Sequence, residues 1–266
     1  MRKIRLDQAI TERGLVESRS LAQRLVMAGQ VIVNGENAQK SSQMIDPDSI
    51  IQVIQKPRYV SRGGEKLEAA LIAFNLQDLS GRVCVDVGSS TGGFTDCLLQ
   101  HKAERVYAVD VGYGLLHWKL RNNPRIILME RTNARFIDSF PENVHLVTID
   151  ASFISLRIIL DVVPGWFGGM KGDVVALIKP QFEAGRNEAA KYEGVIRDKN
   201  IHRSVLHDVL SSAVDYRLGV TGLIQSPLIG PKGNVEFMAH LVKSTNSLDI
   251  DELVEKVLDG REYPSY

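Results

Sequence analysis

The feature that most constrains this chain is a glycine-bearing turn, DVGSSTGGFTD (Asp86 to Asp96), placed directly after the apolar run RVCVDVG. A run that is apolar at nearly every position is what a parallel strand buried on both faces requires. Gly88 permits a sharp turn at its end, and Gly92-Gly93 let a ligand approach the backbone. The segment from about Gly93 to His101 reads as a helix. Strand, glycine turn and helix in this order make the ligand-binding corner of an α/β sheet. The spacing is not GxGxxG, since position 90 is serine, and no Gly-Lys-Ser/Thr follows, so neither a dinucleotide fingerprint nor a P-loop is present. A D-x-G-x-x-x-G turn with no pyrophosphate to hold suits a cofactor bearing a carboxylate, an amine and a sugar.

The chain beyond this corner alternates. RVYAVDVG is a second strand, and Asp110 at its end is placed to accept hydrogen bonds from ribose hydroxyls. A helix around Leu115–Arg121 leads to a third strand, RIILMERT. A weak helix over Phe136–Phe140 precedes HLVTIDAS, and a helix over Ile154–Val163 precedes GDVVALIKPQF. Ile201–Tyr216 is the longest helix, with His202, Val205, Leu206, Val209 and Leu210 near one side. LGVTGLIQSPL and NVEFMAHLVK follow with no helix between them, as expected of an antiparallel pair. Seven strands, the first five separated by helices, predict a doubly wound α/β sheet with an antiparallel end. Ile250–Leu258 reads as a closing helix.

The first 57 residues differ in kind. Leu6, Ala9 and Ile10 are helix-spaced, and Arg13-Gly14 ends that run. Ser18 can cap a second helix that buries Leu21, Ala22, Leu25 and Val26 and stops at Gly29. VIVNG supplies a strand and, with Asn34-Gly35, a hairpin turn, and SIIQVI supplies another strand. The expected organisation is therefore a small α+β domain over 1–57, a linker over 58–64, an α/β domain over 65–245, and a helix and tail over 246–266. Residues 1–62 hold ten Lys/Arg against six Asp/Glu, residues 63–245 balance, and the tail from Asn246 holds six acids against two bases. A basic block on a neutral body points to a polyanion partner.

Four more positions carry chemistry. Lys66 opens the first helix of the body, Asp150 ends the fourth strand, Lys179 ends the fifth, and Glu236 lies in the last strand pair. Ligands on such a sheet bind at the carboxyl ends of strands, so Asp150 and Lys179 face one crevice. A lysine closing a buried apolar strand is rarely a core residue.

The glycine turn and Asp110 together resemble the S-adenosylmethionine site of Rossmann-like class I methyltransferases. The order Lys66, Asp150, Lys179, Glu236 resembles that of the FtsJ-like ribose 2′-O-methyltransferases. The N-terminal stretch RLDQAITERGLVESRSLAQRLVMAGQVIVNG resembles the small RNA-binding domain named after ribosomal protein S-four. With VSRGGEKLEAAL, IDASFISL, KPQFE and GPKGNVEF, the chain from Leu6 to Leu241 is similar to the TlyA family. That resemblance implies 2′-O-methylation of cytidine in ribosomal RNA, 16S or 23S or both, with free ribosomal RNA or ribosomal subunits as partner. It implies cofactor contacts from Asp86, Gly88, Ser89, Ser90, Gly92, Gly93, Phe94, Thr95, Asp110 and Asp150. Asn133 stands where many methyltransferases place an acid near adenine. It also implies RNA contacts from Arg5, Arg13, Arg19 and Arg24.

The residue types suit that chemistry. A 2′-hydroxyl is a poor nucleophile at neutral pH and must be oriented and relieved of its proton. Lys179 would orient or deprotonate it, Lys66 would be a second cation depressing a neighbouring lysine, and Asp150 and Glu236 would position both. Other classes fare less well. A pore-former needs a long apolar or amphipathic segment, and no run approaches the ~18–20 apolar residues of a membrane helix. There is no secretory h-region. Cys84 and Cys97 make no disulfide framework, His101, His117, His202, His207 and His240 show no metal spacing, and no metal or obligate protein partner is expected. The expected location is the cytoplasm. Trp118 and Trp166 read as packing residues, and the polar segment GRNEAAKYEGVIRD as a loop over RNA. A catalytically silent RNA-binding or ribosome-assembly factor is the alternative.

Overall fold

Two short amphipathic helices open the chain: α1 (Leu6–Glu12) and α2 (Arg19–Met27), preceded by the two-residue strand β1 (Ile4–Arg5). The Ser18 hydroxyl accepts the Leu21 amide at 3.3 Å and so caps α2. The strands β2 (Val31–Val33) and β3 (Glu36–Asn37) meet at Asn34-Gly35, where both residues have positive φ (51° and 87°), the requirement of a tight two-residue hairpin. β5 (Ile51–Val53) pairs with the other edge of β2, and β4 (Met44–Ile45) pairs with β1. Leu6, Ala9, Ile10, Ala22, Val26, Val31 and Ile45 form the core of this unit. Strands of two residues carry no readable period, which is why β1 and β4 escape a sequence reading.

The computed structural model describes residues 3–54, 58–152, 154–185, 191–230 and 232–260, and the chain divides into two units, Met1–Pro57 and Arg58–Tyr266. The larger unit begins with α3 (Gly63–Ala73). It continues through β6 (Val83–Val87), α4 (Gly93–Gln100), β7 (Arg105–Val109), α5 (Trp118–Arg121), β8 (Ile126–Met129) and β9 (Leu146–Ile149). Then come α6 (Leu156–Leu160), α7 (Val163–Trp166), β10 (Asp173–Ile178), α8 (Pro180–Glu183), α9 (Lys199–Asp215), β11 (Leu218–Gln225), β12 (Phe237–Lys243) and α10 (Ile250–Leu258). The strands form one sheet in the order β11-β12-β10-β9-β6-β7-β8. β8, β7, β6, β9 and β10 run parallel, and β12 runs antiparallel to both β10 and β11. This is the Rossmann-like methyltransferase arrangement, a seven-stranded doubly wound sheet.

Every residue of β6 is buried, as its apolar run demands. Val83, Val85 and Val87 belong to the core on one face of the sheet, which includes residues of α6, α9 and α10, while Cys84 belongs to the core on the other face with α3 and α4. Asp86 shares the face of Cys84. It accepts hydrogen bonds from the Thr95 hydroxyl of α4 at 2.6 Å and the Thr148 hydroxyl of β9 at 3.2 Å. Burial pushes its carboxyl up to about 7, against the downward pull of those two hydroxyls. Burial also pushes the thiols of Cys84 and Cys97 up to about 12, and both cysteines are free.

Several elements depart from expectation. The helix expected over Leu115–Arg121 shrinks to the single turn of α5, because the chain first passes through Gly114 at φ 71° and buries Leu116. The weak helix expected over Phe136–Phe140 is instead a 3₁₀ turn over Ala134–Phe136, capped by the Asn133 side chain accepting the Arg135 amide at 3.2 Å. The helix over Ile154–Val163 splits into α6 and α7, with Pro164 in the first turn of the second piece. The segment 58–64, expected as a linker, is packed on the larger unit. Tyr59 is buried, the Val60 amide donates to Asp96 Oδ2 at 2.8 Å, and α3 already starts at Gly63. Trp166 is core, donating its indole N–H to the Ile137 carbonyl at 2.7 Å, but Trp118 is exposed and is not a packing residue. His202, buried beside Phe237 on α9, serves packing, and His240 lies on β12 facing Asp173 at 3.0 Å. Parts of the polar segment 185–198 and of the C-terminal tail, namely 186–190 and 261–266, lie outside the described residues, as does Pro57.

The Asp86 carboxyl yields a pH-dependent prediction. An acid whose pKa is higher in the folded than in the unfolded chain is stabilising when protonated, and that contribution is lost as pH rises from about 4 to about 7. Asp86→Asn keeps an acceptor for one of the two hydroxyls, offers the other an N–H donor to accept from, and removes the titration. The stability of the variant relative to the natural chain is expected to improve steadily between those pH values and to level off above about 7. Denaturant titrations of both proteins across this range provide the check, and a flat difference would place the proton elsewhere.

Candidate functional site

The crevice lies where the strand order reverses, at the carboxyl ends of β6 and β9. The glycine turn leaves β6 through Gly88 (φ 80°), and the amides of Gly88 and Ser89 both donate to the Val109 carbonyl, at 2.9 and 3.2 Å. Ser90 has φ 46°, a left-handed conformation uncommon for serine, and its amide donates to Asp110 Oδ2 at 2.8 Å. The Gly112 amide donates to Asp110 Oδ1 at 2.7 Å. Asp110 therefore shapes both loops over the crevice, and its carboxylate oxygens keep lone pairs for a ligand.

Two adjoining cavities of about 260 and 480 Å³ share Gly88, Ser90 and Asp150. The larger runs along Asp110 to Thr132, Asn133 and Ala134, with apolar walls from Val111, Leu115, Ile154 and Ile159. The smaller is lined by Ser61, Arg62, Lys66, Ser89, Phe94, Leu228 and Ile229. One chamber is largely apolar with Asp110 at its side, the other is more polar and carries the cations Arg62 and Lys66, and Asp150 stands between them. Together they are the size of an ordinary small-molecule site.

Lys66, Asp150, Lys179 and Glu236 resolve into two ion pairs. Lys66 Nζ donates to Glu236 Oε2, and both side chains are nearly buried. Lys179 Nζ lies 2.5 Å from Asp150 Oδ1 and donates to Ser152 Oγ at 2.9 Å, and Lys179 is 9% exposed. The neighbouring cation expected beside Lys179 is not among these contacts; each lysine has an acid of its own. Lys66 and Asp150 face the smaller cavity directly, and Lys179 and Glu236 stand behind them.

Of the other residues expected here, Gly88, Ser89, Ser90, Gly93, Phe94, Asp110 and Asn133 line the two cavities. Asp86, Gly92 and Thr95 do not. Asp86 and Thr95 spend their polar atoms on each other inside the sheet. A Cβ on Gly92 would lie 2.4 Å from Leu120 and 2.8 Å from Leu116, so the glycine answers to packing behind the turn. Ser61, Arg62 and Ser152 were not singled out from sequence. Ser61 and Arg62 were hidden by the linker reading, while Ser152 sits two residues past Asp150 and could have been found from that adjacency.

The four arginines of the small unit fall into different environments. Arg5 forms a two-pronged hydrogen bond to Asp7 at 3.1 and 2.9 Å, and Arg19 approaches the same carboxylate at 3.2 Å. These contacts hold the buried Asp7 carboxyl well below the usual range. Arg13 donates to the backbone carbonyls of Ser49, at 2.6 Å, and Pro47. Arg24 is exposed, and its side chain makes no hydrogen bond or ion pair to a described residue.

Fold and crevice together define a methyltransferase domain carrying an added small unit. The FtsJ-like methyltransferase family matches residues 59–243, and the S4 domain matches residues 4–51. The Bacillus subtilis protein YqxC, described as a candidate rRNA methyltransferase, is 46% identical over 252 residues, covering 90% of this chain and 86% of its own. The Mycobacterium tuberculosis 16S/23S rRNA (cytidine-2′-O)-methyltransferase TlyA is 39% identical over 249 residues, 92% of each chain. A solved Streptococcus thermophilus protein described as a candidate haemolysin superposes with a TM-score of 0.73 at 44% identity, over 98% of this chain and 96% of that one. The chain belongs to the TlyA family of FtsJ-like methyltransferases with an S4 domain. Among the described residues no helix is long and apolar enough to cross a membrane, and no cluster of side chains could hold a metal ion.

Gly88 gives the sharpest structural test of the turn. A Cβ there would lie 2.6 Å from the Asp150 carbonyl oxygen, on a backbone already at positive φ. Gly88→Ala is expected to cost about 1–3 kcal/mol by urea denaturation and to displace Asp150. Gly81→Ala, also at positive φ but with open space around it, isolates the backbone part and should cost less.

Proposed function

We propose that this protein transfers a methyl group from S-adenosylmethionine to the 2′-hydroxyl of a cytidine in ribosomal RNA. The observation that carries the reading is the two ion pairs at the edge of the crevice, Lys66–Glu236, nearly buried, and Lys179–Asp150, in which the lysine is buried and the acid half-buried. The residues present fit S-adenosylmethionine. The acid Asp110 suits a ribose diol, and the apolar walls beside Asn133 suit adenine. The chamber of Ser61, Arg62 and Lys66 suits the amino-acid end. That cofactor supplies a methyl group already activated on a sulfonium.

The protein's own residues have the rest to do. Lys179, held between Asp150 and Ser152, would orient the ribose hydroxyl for attack or, as the neutral amine, take up the proton that the hydroxyl loses as its oxygen gains the methyl group. Asp150 fixes that lysine and also forms the wall shared by the two cavities, so it ties hydroxyl to cofactor. Lys66 and Glu236 hold the first turn of α3 against the strand pair and keep a cation at the mouth of the polar chamber. The S4 unit brings the RNA, with Arg24 free to meet phosphate and Arg5, Arg13 and Arg19 partly committed to the fold.

Binding and chemistry separate experimentally. Asp110→Ala is expected to weaken S-adenosylmethionine binding by about 1–3 kcal/mol in calorimetry, the scale of hydrogen bonds to a charged group. Unchanged affinity would remove Asp110 from the cofactor site. Lys179→Ala is expected to bind cofactor and RNA normally and to slow single-turnover methylation of ribosomal RNA by about 10²–10⁴-fold. Lys179→Arg keeps the charge but cannot act as a base, so its full activity would mean that orientation by a cation suffices. Cofactor binding with no methyl transfer by the natural chain to free RNA or either ribosomal subunit would instead favour a silent assembly factor.

A further inference from the structure

Among the described residues, three aromatic side chains are exposed: Tyr113 at 65%, Trp118 at 70% and Phe136 at 69%. All three lie in the segments that follow β7 and β8, Trp118 at the start of α5, and those segments form the rim of the larger cavity through Val111, Leu115, Thr132, Asn133 and Ala134. Each has a cation over its ring. Arg131 stands 4.4 Å from the centre of Tyr113, Lys119 5.8 Å from Trp118, and Arg135 4.3 Å from Phe136. His117 stacks on Trp118 with ring centres 5.7 Å apart. The loops are knitted together: the Arg131 amide donates to the Gly112 carbonyl, and the Thr132 amide to the Asp110 carbonyl, both at 2.9 Å. Glu130, the acid between them, is engaged by Arg121 at 2.6 Å and by the Gly114 amide. None of Lys119, Arg131 and Arg135 forms an ion pair with a described residue.

Leaving three rings in water is unfavourable, and a protein-binding patch would place its rings in a core poor in charge, with lysine depleted. Here rings and cations alternate. That alternation matches an unpaired polynucleotide, whose bases stack on rings while its phosphates meet cations. A base within a duplex has no free face to offer.

We propose that this rim is a stacking platform for unpaired RNA nucleotides flanking the one that is methylated. The proposal rests on the RNA-methyltransferase reading and adds that the segment entering the crevice is single-stranded there. Tyr113, Trp118 and Phe136 receive successive bases, and Arg131, Lys119 and Arg135 follow the backbone between them.

The test uses the full-length protein and a short unstructured RNA oligonucleotide, free or annealed to its complement. Trp166 is buried, so a change in tryptophan emission on adding RNA reports Trp118. The single strand is expected to quench that emission and the duplex to do so far less. Trp118→Ala and Phe136→Ala should each weaken single-strand binding by about 5- to 100-fold. Trp118→Phe should keep most of the affinity, and S-adenosylmethionine binding should not change in any variant. Unquenched emission with unaltered RNA affinity in the variants would overturn the platform. Self-association of the natural chain that Trp118→Ala abolishes would overturn it too, by making a second copy the occupant. Methylation of ribosomal RNA by the natural chain distinguishes the two readings. If methylation persists with no stacking the platform falls alone, and if stacking persists with no methylation the catalytic reading falls alone.

Discussion

The reversal of strand order between β6 and β9 is the constraint on which the rest depends. The chain leaves β6 toward β7 on one side and returns to β9 on the other, so the loops after these strands part and leave a crevice. Parallel strands buried on both faces admit polar groups mainly at their ends. Asp110 and Asp150 sit just past the last apolar residue of their strands, and Lys179 just past β10. Charges on these strands stay near water only at their ends, and Arg105 and Asp173 do so at the amino ends, but it is at the carboxyl ends that the parting loops leave a crevice.

Within that edge, charge is arranged in couples rather than pooled. A buried lysine without a partner is costly, and two facing each other would be more so. Lys179 with Asp150, and Lys66 with Glu236, satisfy both cations locally while drawing on four separate elements. Holding four distant segments in register through two contacts makes the geometry of the crevice a property of the whole unit. Truncating one partner of a pair leaves the other without its counter-charge in a site with little water.

The sheet was legible because its strands are unbroken apolar runs bounded by turns, and the antiparallel end because no helix separates its last two runs. The single-turn helices were not, since one turn carries no period. Asp110, Asp150 and Lys179 could be read from their places at strand ends. Asp86 could not be told from them: an aspartate at the last but one position of a strand points into the core or out of it depending on parity alone. Trp118 was misread for a similar reason, because an aromatic residue near a short helix looks the same in sequence whether its ring faces the sheet or water. Ser61 and Arg62 were missed because a stretch with proline and two glycines reads as a linker even when it is packed.

Asp7 changes what the positive charge of the small unit amounts to. One buried carboxylate holds two of its arginines, and a third caps a turn through backbone carbonyls. A polyanion meeting this surface gains less than the excess of basic residues suggests, since a guanidinium already neutralised has few counterions left to release. The usable charge of a domain is thus set by its internal pairing, and a mild dependence of affinity on salt need not signal a weak or accidental partner.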